Sequence, residues 1–95
     1  MTAIDEVRSK IEKLDQDIIT LIAERTNLAE EVLESKKQEH RSINDDAQNH
    51  VVLDRAANIA TEKNLDSGAV KEIYKILIRM SIERQHELSG EGNLP

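Results

Sequence analysis

Apolar residues recur at alternating steps of three and four through the first third of this 95-residue chain. This series, called the apolar seam below, is Ile4, Val7, Ile11, Leu14, Ile18, Leu21, Leu28 and Val32. Its spacing predicts one long amphipathic helix, and no glycine or proline interrupts the sequence between Ile4 and Gln38. Such a helix is about 50 Å long, whereas a compact globule of this chain length is only about 30 Å across. We therefore expect a homodimer in which a partner chain covers the seam.

Two shorter helices are predicted after the long one, so the expected fold class is all-α with three helices. The second helix has start signals at residues 44–46 and ends at residues 63–64, where Asn64 can adopt the left-handed conformation. The third begins after Asp66 or Ser67 as its cap. Residues 1–89 are expected to form one helical domain. Residues 90–95, which include glycines and the only proline, are expected to form a flexible C-terminal tail.

Composition argues against several classes of function. The net charge is −6 and no basic stripe is visible, so nucleic acid is not an expected partner. Tyr74 is the only aromatic residue, which leaves no platform for base stacking. No apolar run reaches the length of a membrane span and no signal-peptide core is present, so we expect a cytoplasmic protein without membrane contact. Cysteine is absent and the three histidines have no metal-binding spacing, so no metal site is expected.

Charged residues interrupt the seam of the first helix. Arg25 occupies a position where the spacing asks for an apolar residue. Lys36 follows three helical turns plus about 20° later, so the two side chains point to nearly the same side. Arg8 lies about 25 Å before Arg25 along the axis, so these two arginines of one helix cannot hold one small molecule. In an antiparallel dimer, Arg8 of one chain can approach Arg25 of the other.

Polar residues also replace apolar ones on the third helix. Positions 73, 77, 81 and 85 follow at steps of four, and this ridge changes from isoleucine and leucine to Ser81 and Gln85. A hydroxyl and a carboxamide on an inner face need hydrogen-bond partners. The loop after the first helix brings Asp45 close to Lys36. Together these residues form a candidate site for a small anion.

Each of these residues has an ordinary structural interpretation as well. Arg25 could pair with a glutamate of another helix, as charged residues in coiled coils do. Lys36 could be a solvated surface residue and Asp45 a helix cap, while Ser81 and Gln85 could be exposed at a frayed helix end. Spacing alone predicts a dimerising three-helix domain with a candidate anion site, and it names no reaction.

Three segments resemble the all-helical chorismate mutases of the AroQ class. They are VRSKIEKLDQDIITLIAERTNLAEEVLESK, INDDAQNHVVLDRA and MSIERQ, and the resemblance extends from about Ile4 to Leu88. It implies an intertwined antiparallel helical homodimer with two equivalent active sites, each taking one arginine of the first helix from the partner subunit. It also implies an isomerase that converts chorismate to prephenate in phenylalanine and tyrosine biosynthesis without a cofactor.

The resemblance assigns roles by matching position. Arg25, and Arg8 from the partner subunit, would hold the two carboxylates of chorismate, and Ser81 would assist a carboxylate. Lys36 and Gln85 would donate hydrogen bonds to the ether oxygen of the breaking bond. Such a site would hold the compact conformer of the substrate and stabilise the negative charge that develops on the ether oxygen.

The sequence departs from the family pattern near the start of the second helix. Asp45 matches a position near the ring hydroxyl of the substrate. Family members usually carry an Arg-Glu pair just after it, where this chain has Gln48 and Asn49. Asn49 can accept a hydrogen bond through its carbonyl, but it is uncharged and shorter than glutamate. We therefore expect weaker substrate binding or slower turnover, with activity retained.

Three other functions fit parts of the sequence. Isochorismate-pyruvate lyases resemble the same family and also lack the second-helix glutamate, although Asp45 favours the mutase. A non-catalytic helical dimerisation module would explain Gln48 and Asn49 as early losses from a former active site. A helix-turn-helix DNA-binding protein is disfavoured by the acidic composition.

Overall fold

A computed structural model of the chain describes residues 2–90. These residues form four α-helical segments: α1 (Ala3–Asn27), α2 (Ala29–Gln38), α3 (Asp46–Glu62) and α4 (Ser67–Ser89). Within residues 2–90 there is no β-strand, which confirms the all-α prediction. Segments α1 and α2 together form the predicted long helix, and α3 and α4 are the second and third predicted helices.

The long helix is divided at Leu28, a break that the spacing of the apolar seam does not predict. Leu28 has right-handed helical torsion angles (φ −66°, ψ −11°), and its N–H donates to the carbonyl of Glu24 at 3.2 Å. Two residues earlier, the hydroxyl of Thr26 donates to the carbonyl of Ile22 at 2.9 Å. A hydroxyl that bonds back in this way competes with the backbone ladder and bends helices. The break at Leu28 is therefore a local loosening of one long helix.

An aspartate side chain caps the N-terminus of each of the two later helices. Asp45 caps α3 by accepting the N–H of Gln48 at 3.1 Å. Of the two residues predicted as the cap of α4, Asp66 has this role, accepting the N–H of Ala69 at 3.1 Å. Asn64 follows α3 with a φ of 61°, as predicted for the residue that ends the helix. These caps fix where the helices start and so set the register of the residues they carry.

Gly90 ends α4 in the left-handed conformation, with a φ of 86°. A glycine adopts this conformation without the steric cost that a Cβ brings. The predicted flexible tail extends beyond this residue, and its residues 91–95 lie outside the described part of the chain.

The core forms where α4 packs against α2 and α3. Its buried apolar residues are small or aliphatic: Ala29, Leu33, Val52, Ala56, Ala60 and Leu77. Alanines on α3 let the helix axes approach closely, because a methyl group occupies little of the space between two helices. This packing places the C-terminal half of α4 beside α2 and the start of α3.

Helix α1 contributes no buried residue to this core. The side chains of the apolar seam are between 40% and 61% exposed at Ile4, Val7, Ile11, Leu14, Ile18, Leu21, Leu28 and Val32. Only the C-terminal part of α1 lies against α4, where Ile18 and Leu21 face Ile73 and Leu77 across a shallow apolar groove. In residues 2–90, no helix combines the length and the apolar character needed to cross a membrane.

Candidate functional site

A cavity of about 160 Å³ opens beside α4, bordered by α1, α2 and the start of α3. Its polar lining consists of Arg25, Lys36, Asp45, Gln48, Asn49, Ser81 and Gln85, and its apolar lining of Val32, Val52, Ile78 and Ile82. Seven of the eight residues singled out in the sequence therefore border one cavity. The exception is Arg8, which is exposed on α1 and is not among these lining residues.

The most buried polar group of the cavity is the carboxamide of Gln85. Its side chain is 2% exposed, so the alternative interpretation, exposure at a frayed helix end, does not apply to Gln85. The Gln85 Oε1 atom accepts a hydrogen bond from Lys36 Nζ at 3.1 Å, and Gln85 Nε2 donates to Ser81 Oγ at 3.2 Å. A buried amide is costly unless both of its ends are partnered. These two bonds fix which end of the amide faces the lysine.

The ammonium group of Lys36 is held from two sides within the chain. Besides Gln85, it donates a hydrogen bond to the backbone carbonyl of Ile43 in the loop between α2 and α3. Burial lowers the pKa of Lys36 below its usual value of 10.5, and the Asp45 carboxylate raises it in part. An ammonium has three N–H donors, so one remains after these two bonds. Lys36 is therefore an ordered, half-buried cation rather than a freely solvated surface residue.

The guanidinium of Arg25 is anchored to α4. Its Nη1 atom donates to the carbonyl of Leu77 at 3.2 Å, and its Cζ atom lies 5.8 Å from the centre of the Tyr74 ring. This distance is within the range of a cation–π contact. None of the ion pairs within residues 2–90 involves Arg25. Its charge is therefore available to an anion in the cavity.

Asp45 has two roles at the cavity edge. Its Oδ1 atom caps α3, as the ordinary structural interpretation predicted. Its Oδ2 atom lies 3.5 Å from Arg41 Nη1, and the carboxylate borders the cavity near Lys36. The cap thus holds a negative charge at a defined place beside the lysine.

Gln48 and Asn49 lie in the first turn of α3 and border the same cavity. Gln48 is exposed and Asn49 is half-buried. Asn49 Nδ2 donates to Asn44 Oδ1 at 3.1 Å, so the carbonyl oxygen of Asn49 remains as an acceptor. This wall of the cavity therefore offers neutral polar groups.

Several residues of the site were missed in the sequence. Ile78 and Ile82 have a recognisable signal, because with Ser81 and Gln85 they form the i, i+3, i+4, i+7 face of α4. The carbonyl of Ile43 has no signal in the sequence, since any residue type supplies a backbone acceptor. Tyr74 was noted only as the single aromatic residue, and its contact with Arg25 depends on how α1 packs against α4.

Comparison with known proteins finds one matching protein family and several similar enzymes. A family model described as "Chorismate mutase type II" matches residues 7–86, which include every cavity-lining residue. A chorismate mutase of Methanocaldococcus jannaschii is 40% identical over 73 residues, covering 77% of this chain and 74% of that protein. Bifunctional chorismate mutase/prephenate dehydratases of Enterobacter agglomerans and Escherichia coli K12 are 32% and 30% identical over 82 residues. These matches cover 86% of this chain but only 21% of each bifunctional protein.

Proposed function

This chain belongs to the chorismate mutase type II family, and we propose that it catalyses the intramolecular rearrangement of chorismate to prephenate in phenylalanine and tyrosine biosynthesis. One observation carries the proposal: Lys36 and Gln85 lie side by side on one wall of the cavity, joined by a 3.1 Å hydrogen bond. Each keeps an N–H that its bonds within the chain do not use. An ammonium donor and an amide donor held on the same wall suit an oxygen that becomes negative during a reaction.

The rearrangement needs no nucleophile. The C–O ether bond breaks while a C–C bond forms at the other end of the same molecule, so all electrons move within the substrate. The protein has to hold the conformer in which the reacting carbons are close and to stabilise the charge that grows on the ether oxygen. Lys36 and Gln85 donate to this oxygen, and they need no reorientation because Ile43, Ser81 and each other already hold them.

The two carboxylates of chorismate explain the arginines. Arg25 binds one carboxylate from within the chain, with Ser81 as an additional donor beside it. The second carboxylate is bound by Arg8 of the partner subunit. Arg8 cannot act on the cavity of its own chain because it precedes Arg25 by 17 residues on the same helix, about 25 Å along the axis.

A homodimer completes this site and buries the seam. The exposed apolar side chains of α1 would be costly to leave in water, at about 25 cal/mol for each Å² of apolar surface. The radius of gyration is 16.9 Å, compared with about 12.4 Å for a compact domain of this length. An antiparallel, intertwined pair of long helices would cover the seam of both chains and bring each Arg8 to the cavity of the other.

Asp45, Gln48 and Asn49 face the ring hydroxyl of the substrate in this proposal. Asn49 accepts the hydroxyl hydrogen bond through its carbonyl, and Gln48 supplies a neutral polar neighbour. Because hydrogen bonds to charged groups are stronger than neutral ones, Asn49 binds the hydroxyl less tightly than a glutamate at that position would. The cytoplasmic location expected from the sequence belongs to the same proposal.

The direct test is an absorbance assay of the purified chain with chorismate, beside the variants Arg25→Ala and Lys36→Ala. Arg79→Ala is a matched control, because Arg79 is 65% exposed and its ion pair within residues 2–90 is with Glu83 on the outside of α4. We expect chorismate loss with prephenate formation in the parent and the control, and loss of most activity in the two cavity variants.

The same samples receive isochorismate, with pyruvate as the readout, because the neutral Gln48 and Asn49 also suit a lyase. Faster pyruvate release than prephenate formation would assign the lyase activity instead. No turnover of either substrate would leave a dimerisation module.

A further inference from the structure

We propose that Arg41, in the loop between α2 and α3, attracts the dianionic substrate to the cavity by supplying positive charge at its mouth. The inference rests on the proposed function. Arg41 is not among the residues that border the cavity. It borders an open depression immediately outside, which shares Val32, Lys36, Asp45 and Gln48 with the cavity wall. We therefore assign it a role in substrate recruitment rather than in the reaction itself.

The end of α2 fixes the backbone of Arg41. Its N–H donates to the carbonyl of Lys36 at 2.7 Å, and the N–H of His40 donates to the carbonyl of Lys37 at 3.2 Å. His40 has a φ of 57°, in the left-handed conformation that closes helices in this way. Histidine is among the non-glycine residues that adopt it more often than most. Arg41 is thus tied to the same helical turn that carries the lysine of the site.

The side chain of Arg41 points to carboxylates. Its Nη1 atom lies 3.5 Å from Asp45 Oδ2, and its Nε atom lies 3.9 Å from Glu39 Oε1. The Arg41 side chain is 59% exposed, so these ion pairs add little to the stability of the fold. Their effect on a charged ligand is separate, because an exposed guanidinium offsets the field of the carboxylates around it.

Carboxylates outnumber cations at the mouth of the cavity even with this arginine present. The mouth is bordered by three carboxylates, from Glu31, Glu39 and Asp45, and by two cations, from Lys36 and Arg41. Removing Arg41 leaves three negative charges and one positive charge in the path of a dianion. Gln48, on the same rim, provides no compensating charge. Arg41 is therefore the exposed cation on which approach of the substrate depends.

The test compares the steady-state kinetics of Arg41→Gln with those of the parent chain at low ionic strength. A unit charge removed about 10 Å from a dianion in a water-like dielectric changes affinity about fourfold. We expect KM to rise by about this factor with kcat nearly unchanged. The ratio of the two KM values should fall toward one as salt increases from about 0.01 M to about 1 M, where the Debye length shrinks from about 30 Å to about 3 Å.

Three further variants separate charge from shape. Arg41→Lys keeps the charge and should keep a KM close to that of the parent. The double variant Glu39→Gln/Arg41→Gln restores the net charge of the mouth and should recover most of the lost affinity. Arg79→Gln removes an arginine that is also paired with a carboxylate, at 3.7 Å on the outer face of α4, and should leave KM unchanged.

The outcomes separate this inference from the proposed function. A parent chain that does not convert chorismate overturns both. A parent chain that is active, with an Arg41→Gln variant of unchanged KM, overturns the inference alone. So does an increase in KM that persists at high salt, or one that Arg79→Gln reproduces.

Discussion

Lys36 Nζ lies 3.1 Å from Gln85 Oε1, and this hydrogen bond joins α2 to α4 across 49 residues of sequence. It connects the half-buried cation of the cavity to its most buried polar group. The same amide reaches Ser81 through its other end. A chain of three polar side chains therefore crosses the space between the two helices, and each member limits the orientations of the next.

Replacing Lys36 by alanine should reduce kcat strongly. The substitution removes one of two donors to the ether oxygen, and loss of one such donor costs about 10²–10³ in kcat. Lys37→Ala is the matched control, because Lys37 is exposed and does not border the cavity. Single-turnover measurement of prephenate formation checks this prediction, and a decrease of less than about tenfold would argue against transition-state stabilisation by Lys36.

Activity should fall at alkaline pH with a midpoint below 10.5. Burial lowers the pKa of Lys36, and Asp45 offsets this only in part. The protonated ammonium is the active form, so activity is present at neutral pH and is lost as pH rises through the lowered pKa. The pH profile of kcat/KM reports this group in the free enzyme.

Lys36→Arg provides the control for this pH profile. A guanidinium stays charged throughout the pH range in which Lys36 titrates, so whatever activity that variant retains should show no alkaline decrease there. An identical alkaline limb in the arginine variant would assign the titration to another group.

Replacing Asn49 by glutamate should raise kcat/KM. A carboxylate accepts the substrate hydroxyl more strongly than an amide carbonyl, and a difference of about 1 kcal/mol corresponds to about fivefold. The hydrogen bond from Asn49 to Asn44 is lost in this variant. Asn44→Ala removes the same bond without adding charge and should bring no gain. Steady-state kinetics of both variants test this prediction. An Asn49→Glu variant with an unchanged kcat/KM would show that the residue at position 49 does not limit the reaction.

Replacing Leu14 by glutamate should dissociate the dimer and abolish activity. Leu14 is 59% exposed in the isolated chain, and in the proposed dimer its side chain is buried against the partner. A charge at that position would be desolvated twice, once in each subunit. Gln16→Glu introduces the same residue about 200° around the helix and should remain dimeric. Sedimentation velocity distinguishes the two, and an unchanged dimer of the Leu14 variant would place the interface elsewhere.

The sequence predicted the helices well because their signals are local. The period of the apolar residues and the aspartate caps at Asp45 and Asp66 depend on neighbouring residues along the chain. The break at Leu28 was not predicted, since the hydroxyl bond of Thr26 that accompanies it is one of several conformations open to a threonine. Helix positions and caps were thus predictable wherever the local sequence favours one conformation.

The sequence predicted which side of each helix the site residues lie on, but it did not predict their burial or their contacts. Helical geometry placed Arg25 and Lys36 on one side of the long helix. The burial of Gln85 could not be read from the ridge on α4, because it depends on the approach of α2. The carbonyl of Ile43 and the position of Arg41 depend on the loop conformation, which side-chain spacing does not encode.

The most direct test of a shared active site mixes two variants that are each inactive. Arg8→Ala and Arg25→Ala subunits are unfolded together in equal amounts and refolded, and chorismate conversion is measured beside each variant refolded alone. In a heterodimer, one site then has both arginines and the other has neither. Because random pairing makes half of the dimers heterodimers, we predict recovery of about a quarter of the parent activity. A mixture no more active than its separate components, beside a fully active parent treated in the same way, would contradict a site built from two chains.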